Sequence, residues 1–189
     1  MLIKNSLERD VLGVDCAASD HIVLRLKSLP NLSIICCYVA PSDSPYATND
    51  CLARVSGELN GNPESSIILI GDMNCHFGNL RNSFLETAPA EADWAYVNIC
   101  DADKPPNQNA RLVLTALSQM VPVNGLKTET TQYPSKFTYR QGQKWISELD
   151  FCFVTPDLVG SVDTFDIDNA QTLPSDHAPI SVSFSLRKD

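Results

Sequence analysis

The chain has 189 residues, 43% of them hydrophobic and 20% charged, with a formal net charge of −9. That length suits one domain with a real core, and that composition is ordinary for a globular protein rather than a disordered or fibrous one. No apolar run approaches the ~20 residues of a membrane span, and the acidic balance argues against tight, autonomous nucleic-acid binding, which normally leaves a basic footprint.

The start, MLIKNSLERD, has neither an apolar core segment nor a small-residue cleavage site, so no secretion signal is expected. The seven cysteines are scattered and form no CxxC pair, which gives no zinc or thioredoxin motif. Reduced thiols in a nuclear or cytoplasmic compartment are the expectation. Cys36 and Cys37, being adjacent, point to opposite faces of a strand.

In chain order, residues 21–27 (HIVLRLK) alternate apolar and polar, the strand period, and residues 32–39 (LSIICCYV) form a longer apolar run suited to a buried strand. SLPN between them reads as a hairpin turn. APSDSPY is loop. Residues 47–61 read as a helix, with Thr48 or Asn49 as cap, Leu52, Val55 and Leu59 on one face, and Gly61 as the stop. SIILIG, from Ser66, is a buried strand, and RNSFLETAPAEADW is loop or irregular helix.

NQNARLVLTALSQMVPVNG reads as a second helix, with Leu112, Leu117 and Met120 among its inward positions and Pro122 past its end. KFTYR, SELDFCFVT and HAPISVSFSL are strands, the first two pairing across a turn supplied by Gly142. In the last, Ile180, Val182, Phe184 and Leu186 alternate with Ser181, Ser183 and Ser185. Strands interleaved with two helices imply an α/β fold, a mixed sheet covered by helices.

Four polar clusters share one placement. Tyr38 closes the run SIICCY, Asp72 and Asn74 follow IILIG, Asp150 interrupts SELDFCFV, and Ser175, Asp176 and His177 open the last strand. Burial alone would not put acids there, because an unpaired buried carboxylate is costly. Converging strand ends, with the carboxylates neutralised by a metal ion or by each other's partners, account for the pattern. Taken singly, each has a plainer reading: GDMN as a turn, SDH as a helix cap or loop, Tyr38 as a core aromatic. A calcium loop fails, since Phe77 and Ser83 stand where Gly and Glu are needed. No G-x-S-x-G, Walker A or G-x-G-x-x-G occurs. A zinc set of Asp72, His76 and His177 lacks a helical His pair.

The order YVAP, GDMN, TYR, ELDF, SDHAPI resembles the endonuclease/exonuclease/phosphatase superfamily, and in detail the endonuclease domains of non-LTR retrotransposons. The resemblance implies a single domain over 1–189, an α/β-sandwich of mixed sheets covered by helices, and Mg²⁺-dependent phosphodiester hydrolysis, with Mn²⁺ as a substitute. It implies DNA as partner, bound weakly given the charge, no membrane, and a place within a polyprotein that also carries a reverse transcriptase. Carried over by residue, Asp72 orients or deprotonates the attacking water and Asn74 holds the phosphate or that water. Tyr38 hydrogen-bonds a phosphate oxygen. His177 faces the scissile phosphate, with Asp150 accepting from its other ring nitrogen. Asp176 contributes to the metal shell. Thr138, Arg140 and Ser175 contact the substrate.

Family members begin with further strands that carry an active-site Asn and a metal-binding Glu. The segment MLIKNSLERDVLGV resembles the middle of the family's first half, and Asn5 and Glu8 lie too close to HIVLRLK to replace that pair. A fold incomplete at its N-terminus, with exposed strand edges and apolar faces, is therefore expected. The competing readings are a catalytically impaired scaffold of the same fold, and a phosphatase of the same superfamily.

Overall fold

The computed structural model describes residues 5–16, 18–48, 50–61, 64–170 and 174–185. A 3-10 segment, Asn5–Asp10, leads into β1 (Val11–Asp15), β2 (His21–Leu26) and β3 (Leu29–Tyr38), followed by α1 (Asp50–Gly61) and β4 (Ser66–Asp72). A second 3-10 segment, Gly78–Thr87, precedes β5 (Ala95–Tyr96), α2 (Gln108–Ala116), β6 (Val121–Pro122) and β7 (Leu126–Lys127). The chain ends with β8 (Tyr139–Gln141), β9 (Lys144–Ser147), β10 (Asp150–Val154), a 3-10 segment over Pro156–Ser161, β11 (Val162–Ile167) and β12 (Ile180–Phe184).

Six strands make one sheet in the order β1-β2-β3-β4-β10-β6. Its one parallel pair is β3 with β4, whose crossover carries α1. β10 runs antiparallel to both β4 and β6. The pairs β5–β7, β8–β9 and β11–β12 are separate. The architecture is thus the expected mixed sheet with helices.

The pleat sorts the side chains into two cores. Ile35, Ile67, Leu69, Phe151 and Phe153 face α1 and α2, meeting Val55, Leu59, Ala110 and Val113. Ile68, Cys152 and Val154 face the other way, against Phe165 and Ile167 of β11 and the apolar side of β12. The hairpin β11–β12 leaves the outer strands partly bare, with Leu12 and Val14 of β1 exposed. Edge-to-face contacts of the Phe77 ring with Phe84 and with Phe151, centroids 5.2 and 5.1 Å apart, fill the helix side.

Several sequence expectations shift in detail. The hairpin turn before β3 is Lys27–Ser28, so Leu29, Pro30 and Asn31 already belong to the strand. Helix α2 ends at Ala116, and Leu112 is 37% exposed; Ala110 and Val113 are its inward residues, while Leu117 and Met120 are buried beyond its end. The strand after KFTYR is Lys144–Ser147, paired with β8 around Gly142, and β10 instead joins the main sheet. The strands β1, β5, β6, β7, β9 and β11 were not anticipated. The cap of α1 comes from outside the segment: the Asp20 carboxylate accepts from the Cys51 N–H at 2.9 Å and from the Thr48 hydroxyl at 2.8 Å. Asn49 and Leu186 lie outside the described residues.

Candidate active site

Strand register builds the site. Tyr38 is the ladder partner of Asp72 across the parallel pair, and Asp72 is the ladder partner of Asp150 across the antiparallel pair. Directly opposed residues share a face, so the three side chains form one row at the carboxyl ends of β3 and β4. The rows beneath it are apolar: Cys36, Ile70 and Cys152, then Ile34, Ile68 and Val154. Past β4 the alternation persists. Met73, Cys75 and Phe77 are fully buried toward the helices, while Asp72, Asn74 and His76 are turned the other way and only partly covered. An acid and an amide two residues apart are therefore what a strand shows when it leaves the core at a rim.

Gly71 makes this row possible. A Cβ there would stand 1.9 Å from the Cys37 carbonyl oxygen, so a side chain would push β3 and β4 apart.

His177 arrives from the other end of the chain. Residues 138–140 pair with 176–178: Arg140 N–H donates to the Asp176 carbonyl at 2.8 Å and Ala178 N–H to the Thr138 carbonyl at 2.7 Å. The Ser175 hydroxyl accepts from the His177 N–H at 3.0 Å, and the Tyr139 ring lies 5.3 Å from the imidazole. So placed, His177 Nδ1 is 2.8 Å from Asp150 Oδ2, and Nε2 is 3.9 Å from Asp72 Oδ2. The imidazole bridges two carboxylates that face each other across the ladder.

The electrostatics follow from that crowding. Burial pushes the Asp72 carboxyl up to about 6; the Asn74 backbone N–H pulls against the rise, the Asp150 charge adds to it, and His177 and the Asn74 side chain oppose it. For His177, burial disfavours the imidazolium, but the hydrogen bond to Asp150 and the charges of Asp150, Asp72 and Asp176 outweigh it, so its pKa is raised. Asn74, at φ 46°, donates its N–H to Asp72 Oδ1 at 2.9 Å and its side-chain amide to Asp72 Oδ2 at 3.1 Å and to the Val39 carbonyl at 3.0 Å.

The remaining expected residues divide. Tyr38 is 50% exposed beside Asp72 and stands open to a ligand. Arg140 packs over the Trp145 ring and donates through Nε and Nη2 to the Ser175 carbonyl, so it pins the turn that carries His177. Ser175 serves that same turn. Thr138 is fully buried, and its hydroxyl accepts the N–H groups of Leu149 and Asp150 at 2.9 and 3.0 Å. It fixes the backbone of Asp150.

For a divalent cation, ligand atoms of Asp72, Asp150 and His177 lie within 4.8 Å of one another; Asp176 is exposed and outside that group. Two opposed carboxylates, one with a raised pKa, are a donor set that a hard cation suits, because Mg²⁺ needs only one or two carboxylates beside its waters. The carboxylate grouped with Asp72 is that of Asp150. A second group joins half-buried Cys100 to buried Asp101 and Glu148. It already holds its counter-ion: Arg81 Nη2 lies 2.8 Å from Glu148 and 3.5 Å from Asp101.

Sequence reasoning missed the supports. Asn124 donates to the Asp150 carbonyl at 3.1 Å and to Glu148 at 3.0 Å, and accepts from the Cys152 N–H at 3.1 Å, continuing the ladder of β10 with a side chain. Asn107 and Asn109, before and in the first turn of α2, reach the segment that carries Asn74. An Asn ahead of an apolar-periodic segment signals a cap, and that signal was readable at Asn107. A cleft of about 840 Å³ opens at the opposite ends of β3 and β4, around Leu29–Leu32, Ser66 and Asp157, and none of the clustered residues lines it.

No protein-family model and no curated protein sequence matches the chain. Solved structures do. The 3′-5′ exonuclease NExo from Neisseria meningitidis matches with a TM-score of 0.57 at 18% identity, over 94% of this chain and 71% of that one. The endonuclease domain of TRAS1, a telomere-specific non-LTR retrotransposon, matches with a TM-score of 0.55 at 16% identity, over 89% and 65%. An AP endonuclease from Archaeoglobus fulgidus matches with a TM-score of 0.52 at 16% identity, over 94% and 71%. The chain therefore spans 65–71% of the length of these structures. At such identities the likeness is one of fold, and the chain has the endonuclease/exonuclease/phosphatase fold.

Proposed function

We propose that the chain hydrolyses phosphodiester bonds in DNA with the help of a divalent cation, Mg²⁺ or in its place Mn²⁺, as a nicking endonuclease of the retrotransposon type. The observation that carries the reading is the His177 imidazole held between the facing carboxylates of Asp72 and Asp150, with Tyr38 exposed in the same row. The likeness in fold to TRAS1 and NExo supports it.

Hydrolysis needs an in-line water and stabilised charge on the non-bridging oxygens. Asp72, oriented by both donors of Asn74, is placed to hold and deprotonate the water. Asp150 accepts from His177 Nδ1, which fixes the ring and leaves Nε2 for the phosphate. The Tyr38 hydroxyl is free to donate to a phosphate oxygen. Asp72 and Asp150 are the residues that would hold the cation, which when bound would neutralise negative charge on the phosphate.

The test is conversion of supercoiled plasmid to open circle by the purified chain, with Mg²⁺ and with EDTA, beside Asp72→Ala and His177→Ala. Nicking that requires Mg²⁺ and falls roughly 10²–10⁴-fold in each variant is expected. Nicking indifferent to both substitutions overturns the site. A chain shown folded by circular dichroism that does not nick is instead the impaired scaffold, the reading favoured by the net charge of −9.

A further inference from the structure

We infer that Asn107 is a positioning residue for this site: its carboxamide clamps the Asn74 peptide, and through it the Asp72 carboxylate, onto the amino end of α2. The functional consequence rests on the proposed reading of Asp72; the clamp itself does not.

Asn107 stands at the N-cap of α2 in an extended conformation, and its Oδ1 accepts the Ala110 N–H at 2.9 Å. A cap alone would be a local matter of helix stability. The same side chain also turns outward. Oδ1 accepts the His76 N–H at 3.3 Å, Nδ2 donates to the Asn74 carbonyl at 3.0 Å, and the Asn107 N–H donates to the His76 carbonyl at 3.3 Å. Asn109, two residues on, donates to the Met73 and Ala40 carbonyls at 3.4 and 3.0 Å. The first turn of α2 thus grips the segment between Asp72 and Phe77 by its backbone.

That grip falls where the backbone needs it. Asn74 sits at φ 46°, in the left-handed region that non-glycine residues enter at a cost. In that conformation its N–H and its amide reach both oxygens of Asp72. The link is therefore a chain of three residues: Asn107 holds the Asn74 carbonyl, Asn74 holds Asp72, and Asp72 faces His177.

The chemistry makes the role separable from capping. Ser, Asp and Asn cap helices about equally well. Only an amide both accepts from Ala110 and donates to Asn74. Asn107→Asp keeps the shape and the capping oxygen but aims an acceptor at the Asn74 carbonyl. Asn107→Ser keeps a capping oxygen with no donor reaching Asn74 and adds no charge, which separates loss of the donor from gain of a carboxylate.

The experiment compares amide hydrogen exchange by NMR in the wild type and both variants, then plasmid nicking with Mg²⁺. The clamp predicts that the Ala110 N–H stays protected while protection of the Asn74 N–H falls at least tenfold in both variants. Turnover then falls about 10- to 100-fold with KM little changed, as for a reacting group displaced by about an ångström. Unchanged protection at Asn74, or equal loss at Ala110 and Asn74, overturns the inference and leaves Asn107 a cap. A wild type that does not nick counts against the proposed function alone, and the exchange comparison still decides the clamp.

Discussion

Asp72 and Asp150 are direct ladder partners on β4 and β10. Like charges set opposite one another across an antiparallel pair destabilise it, so this pair exists at a cost that something else in the site must offset. His177 is the partner the structure supplies, at 2.8 Å from Asp150 and 3.9 Å from Asp72. A rim that keeps two acids and one imidazole together responds to protons and cations in ways that stability measurements read directly.

The first expectation concerns pH. Asp72 in the folded chain binds its proton up to about 6, against an ordinary 3.8. Between those values the unfolded chain has lost this proton and the folded chain has kept it, so stability falls as pH rises. His177 acts in the same sense: its raised pKa gives stability that is complete below its unfolded value of 6.5 and is lost as pH rises through the folded one. Metal-free protein should therefore lose stability from pH 4 to pH 8. The Asp72 part amounts to about 2–3 kcal/mol, or about 5–10 °C in Tm for a chain of this size. Thermal melts in EDTA check it, and Asp72→Asn should flatten the slope. A Tm rising steadily over that range contradicts the assigned charge states.

The second expectation is that Mg²⁺ restores what ionisation removes. At pH 7.5 a cation at a hundredfold excess over its Kd stabilises the folded state by about 2.7 kcal/mol. Asp72→Asn and Asp150→Asn should each abolish most of that gain. His177→Ala should enlarge it, because the two carboxylates would then lack their protein counter-charge. Melts of the four proteins with and without Mg²⁺ decide it; equal gains in all four place the cation elsewhere.

What the sequence disclosed, and what it did not, follows from the range of the forces involved. β2 and β12 were legible because alternation is local and each buries one face. β1 and β11 were not, because neither alternates cleanly: Leu12, Gly13 and Val14 of β1 are all exposed, and Asp163 and Thr164 of β11 are both exposed between buried Val162 and Phe165. The site was legible as acids and a histidine at strand ends, since burial alone does not account for charge at those positions. Its supports were not. Thr138 looked like a substrate contact because its neighbours in sequence resemble one, whereas its burial is decided by β8, β10 and the 176–178 segment together. The cap at Asn107 was not read, and its grip on Asn74 joins positions 33 residues apart. Leu112 was assigned inward by periodicity, yet α2 is only 9 residues long and turns Ala110 and Val113 to the core instead.

A third expectation tests the part that Thr138 plays in holding the 149–150 backbone. Thr138→Val keeps shape and volume but leaves the N–H groups of Leu149 and Asp150 without acceptors. Buried, unsatisfied donors cost about 1–3 kcal/mol each, so a loss of about 2–4 kcal/mol in urea unfolding is expected. Thr138→Ser keeps the hydroxyl and should recover most of it. A Thr138→Val chain as stable as the wild type, yet weaker in DNA binding, would return Thr138 to the substrate.

The last expectation concerns the backbone beneath the acids. Parallel strands β3 and β4 pass so closely at Gly71 that a Cβ would lie 1.9 Å from the Cys37 carbonyl oxygen, 2.9 Å from its carbon and 3.0 Å from its nitrogen. These are backbone atoms in the middle of a sheet, so no rotamer change relieves the clash; the ladder itself must open. Gly71 has φ 155°, which an L-residue rarely adopts, and this adds strain. Gly71→Ala should therefore cost about 4 kcal/mol or more, in the range reserved for core and backbone disruption. The damage is also placed where it matters, because Gly71 is one residue from Asp72 and its ladder partner Cys37 is one residue from Tyr38. Gly61→Ala supplies the contrast, since a Cβ there meets nothing within 4 Å. Urea titration of the two variants should separate them clearly; similar midpoints would show that β3 and β4 are less tightly joined at the rim than their register implies.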